Sequence, residues 1–80
     1  MNREEILVNL NEIFRDIFDD LDLIIIESTN SNDIEDWDSL EQINILLSIE
    51  KKFNIKFNLD EALEFRNVGD MINLIERKRN

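Results

Sequence analysis

Between Arg3 and Phe18 the apolar residues Ile6, Leu10, Ile13, Phe14 and Ile17 recur at steps of three and four. That period gathers them into one stripe and predicts an amphipathic helix. Val8 falls off the stripe and is expected at the surface. A second helix is predicted from Ser39 to about Phe53, and a short third near Asp60 to Phe65. A fourth is predicted from about Val68 to Lys78, with Val68, Met71, Ile72 and Ile75 on one face. Asn67 and Asp70 stand at cap and N3-like positions at its start. Arg77, Lys78 and Arg79 sit at its end, where the helix dipole favours cations. Two stretches read less simply. Phe53 to Leu59 alternates apolar and polar residues, but a lone strand has nothing to pair with. It is read as an extended connection with Ile55 and Phe57 in the core. Leu23 to Ile26, four apolar residues in an acidic stretch, is read as a loop segment anchored in the core. The expectation is an all-α fold: a small four-helix bundle, three longer helices and one short, forming a single domain over residues 1–80.

The second helix is unusual. At ~100° per residue, Leu40, Ile43, Ile45, Leu46, Leu47, Ile49 and Phe53 cover roughly 220° of its circumference. A surface helix carries a narrower stripe. Such a helix can face a core on one side and a guest or partner on the other.

Composition removes many functions. The chain has no His and no Cys, so it lacks a His-based triad, a thiol nucleophile, a zinc finger and a disulfide framework of its own. A single Gly leaves no Gly-rich phosphate cradle. A net charge of -10, from 19 acidic and 9 basic residues, argues against nucleic acid and against an anionic membrane surface. No apolar stretch approaches the ~18 residues of a membrane span, and the charged start is unlike a signal peptide. A cytoplasmic monomer is expected.

The charge is concentrated. Residues 19–38 hold eight acids (Asp19, Asp20, Asp22, Glu27, Asp33, Glu35, Asp36 and Asp38) and no base. Structureless connections of this length are uncommon in small domains and tend to be functional. This one ends on Asp38-Ser39, a good helix start. Either Asp38 with Glu41 or Ser39 with Gln42 fits a capping box. Serine at a positive helix end also suits an attached phosphate. An EF-hand is excluded, since Ile34 and Glu35 occupy the fifth position and the glycine position. Weak, diffuse divalent binding by the acids, or a plain acidic adaptor that docks a basic partner, remain alternatives without a prosthetic group.

Trp37-Asp38-Ser39-Leu40, then Ile43, Leu46 and Leu47, then Ile49-Glu50-Lys51-Lys52-Phe53, resembles the signature of acyl carrier proteins. The long first loop and the short acidic third element extend the resemblance over the whole chain. It implies that Ser39 bears a 4'-phosphopantetheine arm, added from coenzyme A by a phosphopantetheinyl transferase, and that acyl groups ride on its thiol as thioesters. The sulfur would thus be imported into a chain without Cys. It implies no catalysis by the chain itself. Asp38 would support the transferase. Trp37, Leu40, Glu41, Leu47 and Glu50 would face partner enzymes that load, condense or transfer acyl groups. Two departures point to a dedicated pathway (polyketide or another specialised route) rather than housekeeping fatty-acid synthesis. Asn44 stands where an acid is common, and Lys51-Lys52 replace acids near the helix end.

Overall fold

The computed structural model describes residues 1–63 and 65–79. Among these the chain forms four helices and no strand: α1 (Arg3–Ile17), α2 (Ser39–Phe53), α3 (Leu59–Leu63) and α4 (Val68–Arg79). The short third helix was expected to reach Phe65; it closes at Leu63, and Glu64 lies outside the described residues.

Local chemistry sets the helix ends. Asn2 caps α1 through a complete capping box: its Oδ1 accepts from the Glu5 N–H at 2.9 Å, and Glu5 Oε1 accepts from the Asn2 N–H at 3.1 Å. Asp19 ends α1 in the left-handed region (φ 51°), and the Asp20 N–H returns to the Arg15 carbonyl at 3.1 Å. Asn54 ends α2 in the same conformation (φ 55°), its short polar side chain being tolerated there. Asn67 starts α4 by accepting from the Asp70 N–H at 2.9 Å. Asp70 in turn accepts from the Arg66 N–H at 3.0 Å, so both predicted cap residues act.

α1 is the central element and touches both α2 and α4. Its predicted stripe faces the core, with Ile6, Leu10 and Phe14 fully enclosed and Ile17 partly buried, and Val8 is exposed. α2 contributes Ile45, Ile49 and Phe53, and α4 contributes Val68, Met71, Ile72, Leu74 and Ile75. The connection after α2 behaves as read from the alternation: Ile55 is buried and Phe57 packs half-buried against the core. Phe57 meets Phe65 edge-on at 5.7 Å between ring centres.

The long loop is held along its length. It runs back beside α1, with Arg15 Nε donating to the Leu23 carbonyl at 2.7 Å. Asn11 then grips Ile25 twice: its Oδ1 accepts from the Ile25 N–H at 2.8 Å, and its Nδ2 donates to the Ile25 carbonyl at 3.3 Å. Arg3 pairs with Glu27 and also reaches Asn73 at 2.6 Å and Glu76 at 2.7 Å on α4. Hydrogen bonding to the Arg3 guanidinium holds the Glu27 carboxyl below the usual carboxylate range. Finally the loop carbonyls of Thr29 and Glu27 accept from the Val68 and Gly69 amides at 2.9 and 2.7 Å. The loop backbone therefore supplies the acceptors that the first turn of α4 lacks. Gly69, the only glycine, lies where this approach is tightest: a Cβ there would stand 3.1 Å from the Glu27 carbonyl oxygen.

Leu23 to Ile26 form a loop segment anchored in the core, as expected, but through alternate residues only. Of Leu23 to Ile26, only Ile25 is buried and Leu23 half-buried, while Ile24 and Ile26 face solvent. An extended segment alternates its side chains, so gripping Ile25 from α1 turns its neighbours outward.

Asn11→Ala is expected to destabilise the fold by about 1–3 kcal/mol, because it strips the partners from both backbone groups of Ile25. In a domain of this size that lowers the melting temperature by several degrees. Circular dichroism melts check the loss, and hydrogen exchange at the Ile25 amide should accelerate more than exchange at the centre of α4.

Candidate functional site

The loop ends at the head of α2. Asp38 is the N-cap, in extended conformation, and its Oδ1 accepts from the Glu41 N–H at 2.9 Å. Its carbonyl accepts from the Gln42 N–H at 2.9 Å. Of the two caps open from the sequence, the Asp38–Glu41 arrangement forms, and in only one direction. The Glu41 carboxylate turns away and accepts from Asn44 Nδ2 at 2.7 Å. Ser39 is thereby relieved of capping. It is the first residue of the helix, it is exposed, and among the described residues its hydroxyl has no hydrogen-bond partner. The amides of Ser39 and Leu40 are likewise without acceptors among the described residues, at the positive end of the helix dipole.

Gln42 is committed elsewhere. Its Oε1 accepts from the Trp37 indole N–H at 2.7 Å. The indole is buried and meets Phe14 edge-on, with ring centres 5.2 Å apart and planes at 81°. The resemblance implies a partner-facing Trp37. The structure puts it in the core instead, where a large ring with one polar atom finds apolar packing and a single acceptor. Glu50 is also drawn inward: its carboxylate accepts from the Phe57 N–H at 2.8 Å and staples the following connection to α2. Leu40 and Leu47 do face outward, joined by Ile43.

Beside Ser39 lies a groove of about 600 Å³ between α2 and α3. Ser39, Asp38 and Ser31 stand at its polar end, and Trp37, Gln42, Ile43, Leu46, Leu59, Ala62 and Phe65 complete it. The walls from Leu59, Ala62 and Phe65 were not anticipated, since nothing in a five-residue helix states which way it faces. Gln42 was weighed only as a cap partner. Its position one turn from Ser39 and beneath Trp37 was the available signal.

Some acids of the loop are engaged in turns. Asp20 accepts from the Asp22 N–H at 3.0 Å, and Asp33 accepts from the Asn30 N–H at 3.0 Å. Among the described residues no three acidic side chains converge where they could hold a metal ion. Nor is any described helix long and apolar enough to cross a membrane.

Known proteins share this arrangement. A family model described as "Phosphopantetheine attachment site" matches residues 10–75. The acyl carrier protein of Wolinella succinogenes is 32% identical over 74 residues, covering 79% of this chain and 97% of that one. The solution structure of a holo acyl carrier protein from Geobacter metallireducens superposes with a TM-score of 0.84 at 41% identity, over 91% of this chain and 84% of that one. The crystal structure of an acyl carrier protein from Thermotoga maritima gives a TM-score of 0.83 over 99% and 92% of the two chains; at 22% identity it bears on the fold alone. Matched across the attachment site and along most of a relative's length, the chain belongs to the acyl carrier protein family, whose prosthetic group is phosphopantetheine.

Proposed function

We propose that Ser39 is the residue that carries 4'-phosphopantetheine, and that the whole chain acts as a single, monomeric, cytoplasmic carrier domain. One observation carries this reading. An exposed serine hydroxyl, free of the capping role its position usually brings, opens on an apolar groove at the positive end of a helix. The residues fit the group. Ser39 and Leu40 offer open amides suited to a phosphate. The groove lined by Ile43, Leu46, Leu59 and Phe65 suits an alkyl chain. When attached, the arm supplies a thiol on which acyl groups travel as thioesters. The chain's own residues bind, orient and shield. Asp38 fixes the helix start and so the direction of the Ser39 hydroxyl. Leu40, Ile43 and Leu47 form the outward apolar stripe for the transferase and for enzymes that load, condense or transfer acyl groups. Glu41 and Glu50 act on that face chiefly by holding Asn44 and Phe57 in place.

Incubation with coenzyme A and a broad-specificity phosphopantetheinyl transferase should raise the intact mass by one phosphopantetheine. Ser39→Ala should abolish the rise. Ser31→Ala should preserve it, although Ser31 lines the same groove. A plain acidic adaptor would show no rise with any of the three proteins.

Trp37 provides a second readout. Its N–H is tied to Gln42, which lines the groove, so an acyl chain lodged there should shift the indole emission relative to the unloaded arm. An emission spectrum and quenching identical in the loaded and unloaded forms would leave the chain outside the groove.

The pathway reading concerns the far end of α2. Lys51 and Lys56 are exposed there, while Lys52 is paired with Glu12 at 3.0 Å. A partner built for a uniformly acidic helix meets like charge at that end. Lys51→Glu with Lys56→Glu should lower the KM of a housekeeping fatty-acid synthase enzyme for the loaded carrier. An unchanged or higher KM would remove this support for a specialised role.

A further inference from the structure

Three large aliphatic side chains project from the acidic loop into solvent: Leu21 is 86% exposed, Ile24 74% and Ile26 57%. The orientation of the two isoleucines is imposed. Asn11 grips both backbone groups of Ile25 and Arg15 holds the Leu23 carbonyl, so Ile24 and Ile26 share the outward face of the segment, and Leu21 is exposed at the Asp20–Leu23 turn just before it. Isolated exposed aliphatics are ordinary, but several held together within a charged surround mark an interaction site. We propose that Leu21, Ile24 and Ile26 form a second docking surface, for a protein whose contact face has an apolar centre rimmed by Lys and Arg.

Charge selects this occupant. The patch is set among Asp19, Asp20 and Asp22, which are exposed, and residues 19–38 contain no basic residue. The nearest cations on α1 are already engaged: Arg3 with Glu27 and Glu76, and Arg15 with the Leu23 carbonyl. A second copy of the chain would set acid against acid across the contact, and an anionic bilayer would do the same. A basic rim around an apolar centre gains on both counts.

Position separates Ile24 and Ile26 from the middle of the α2 face. Asn11 and Arg15 hold the loop on one flank of α1. Glu12 and Asp16 line the other flank, where Glu12 pairs with Lys52 of α2 and a cleft runs between Asp16 and Ser48. A partner seated on Ile24 and Ile26 therefore leaves Ile43 and Leu47 open, while Asp19 of the rim shares a cleft with Leu40 at the head of α2.

The test places the photo-reactive residue p-benzoylphenylalanine at position 24 of the full chain, in the cells that produce it, with position 8 on the exposed face of α1 as the comparison. A heterologous adduct is expected at 24 and absent at 8. The partner's cross-linked peptide should carry Lys or Arg beside apolar residues. The adduct should fall roughly tenfold in Leu21→Ser with Ile26→Ser, and again in Asp20→Asn with Asp22→Asn. The serine variants should melt at the wild-type temperature, because both side chains are exposed, so loss of the adduct is not loss of fold. The proposal is overturned by no adduct at 24, by an equal adduct at 8, by an adduct to a second copy, or by one indifferent to these substitutions. Flotation of the purified chain with phosphatidylcholine or phosphatidylglycerol vesicles, abolished by the serine substitutions, would also overturn it in favour of a lipid surface.

Discussion

A connection of some twenty residues without helix or strand must find partners for its backbone amides and carbonyls outside itself. Everything else here depends on how that requirement is met. Asn11 takes both groups of Ile25, and the carbonyls of Glu27 and Thr29 take the orphan amides at the start of α4. The second arrangement satisfies two deficits at once, because a helix start and a loop backbone each lack what the other has. Its effect is to tie α1, the loop and α4 into one unit before α2 begins. Asp38 therefore arrives at the head of α2 from a fixed direction, and the Ser39 groove inherits that direction.

The acidity of the loop divides into two kinds. Some carboxylates build backbone: Asp20, Asp33 and Asp38 each accept from an amide two or three residues away, the ordinary reason for Asp in turns. Others, such as Glu35 and Asp36, are simply exposed. The only loop acid in an ion pair among the described residues is Glu27, whose guanidinium partner also serves α4. A cluster that reads as one electrostatic feature in the sequence is thus partly a set of turn devices, and the carboxylates do not converge into an ion site.

What was legible followed from periodicity and local chemistry. The α1 stripe, the caps at Asn67 and Asp70, and the buried Ile55 within an alternating connection all rest on spacings that the chain states directly. The start of α2 at Asp38-Ser39 was legible too, from the capping chemistry of those residues. What was not legible is what distant residues do to one another. Nothing near Trp37 in the chain indicates that Phe14 waits to receive it. Nothing near Ile24 indicates that Asn11 will seize its neighbour and turn it outward. The facing of α3, which closes the groove with Leu59 and Ala62, depends on tertiary packing that five residues cannot specify.

The division of labour between Asp38 and Ser39 has a consequence for the order of events in the cell. Adjacent residues at a helix start often compete for the same orphan amides; here the aspartate takes the Glu41 amide and the serine takes none. Elaborating the Ser39 hydroxyl therefore removes no bond on which the fold relies. The helix start, the core beneath it and the groove beside it are complete in the newly made chain. If Ser39 carries the arm as proposed, its attachment acts on a finished protein, and a chain stripped of the arm stays folded.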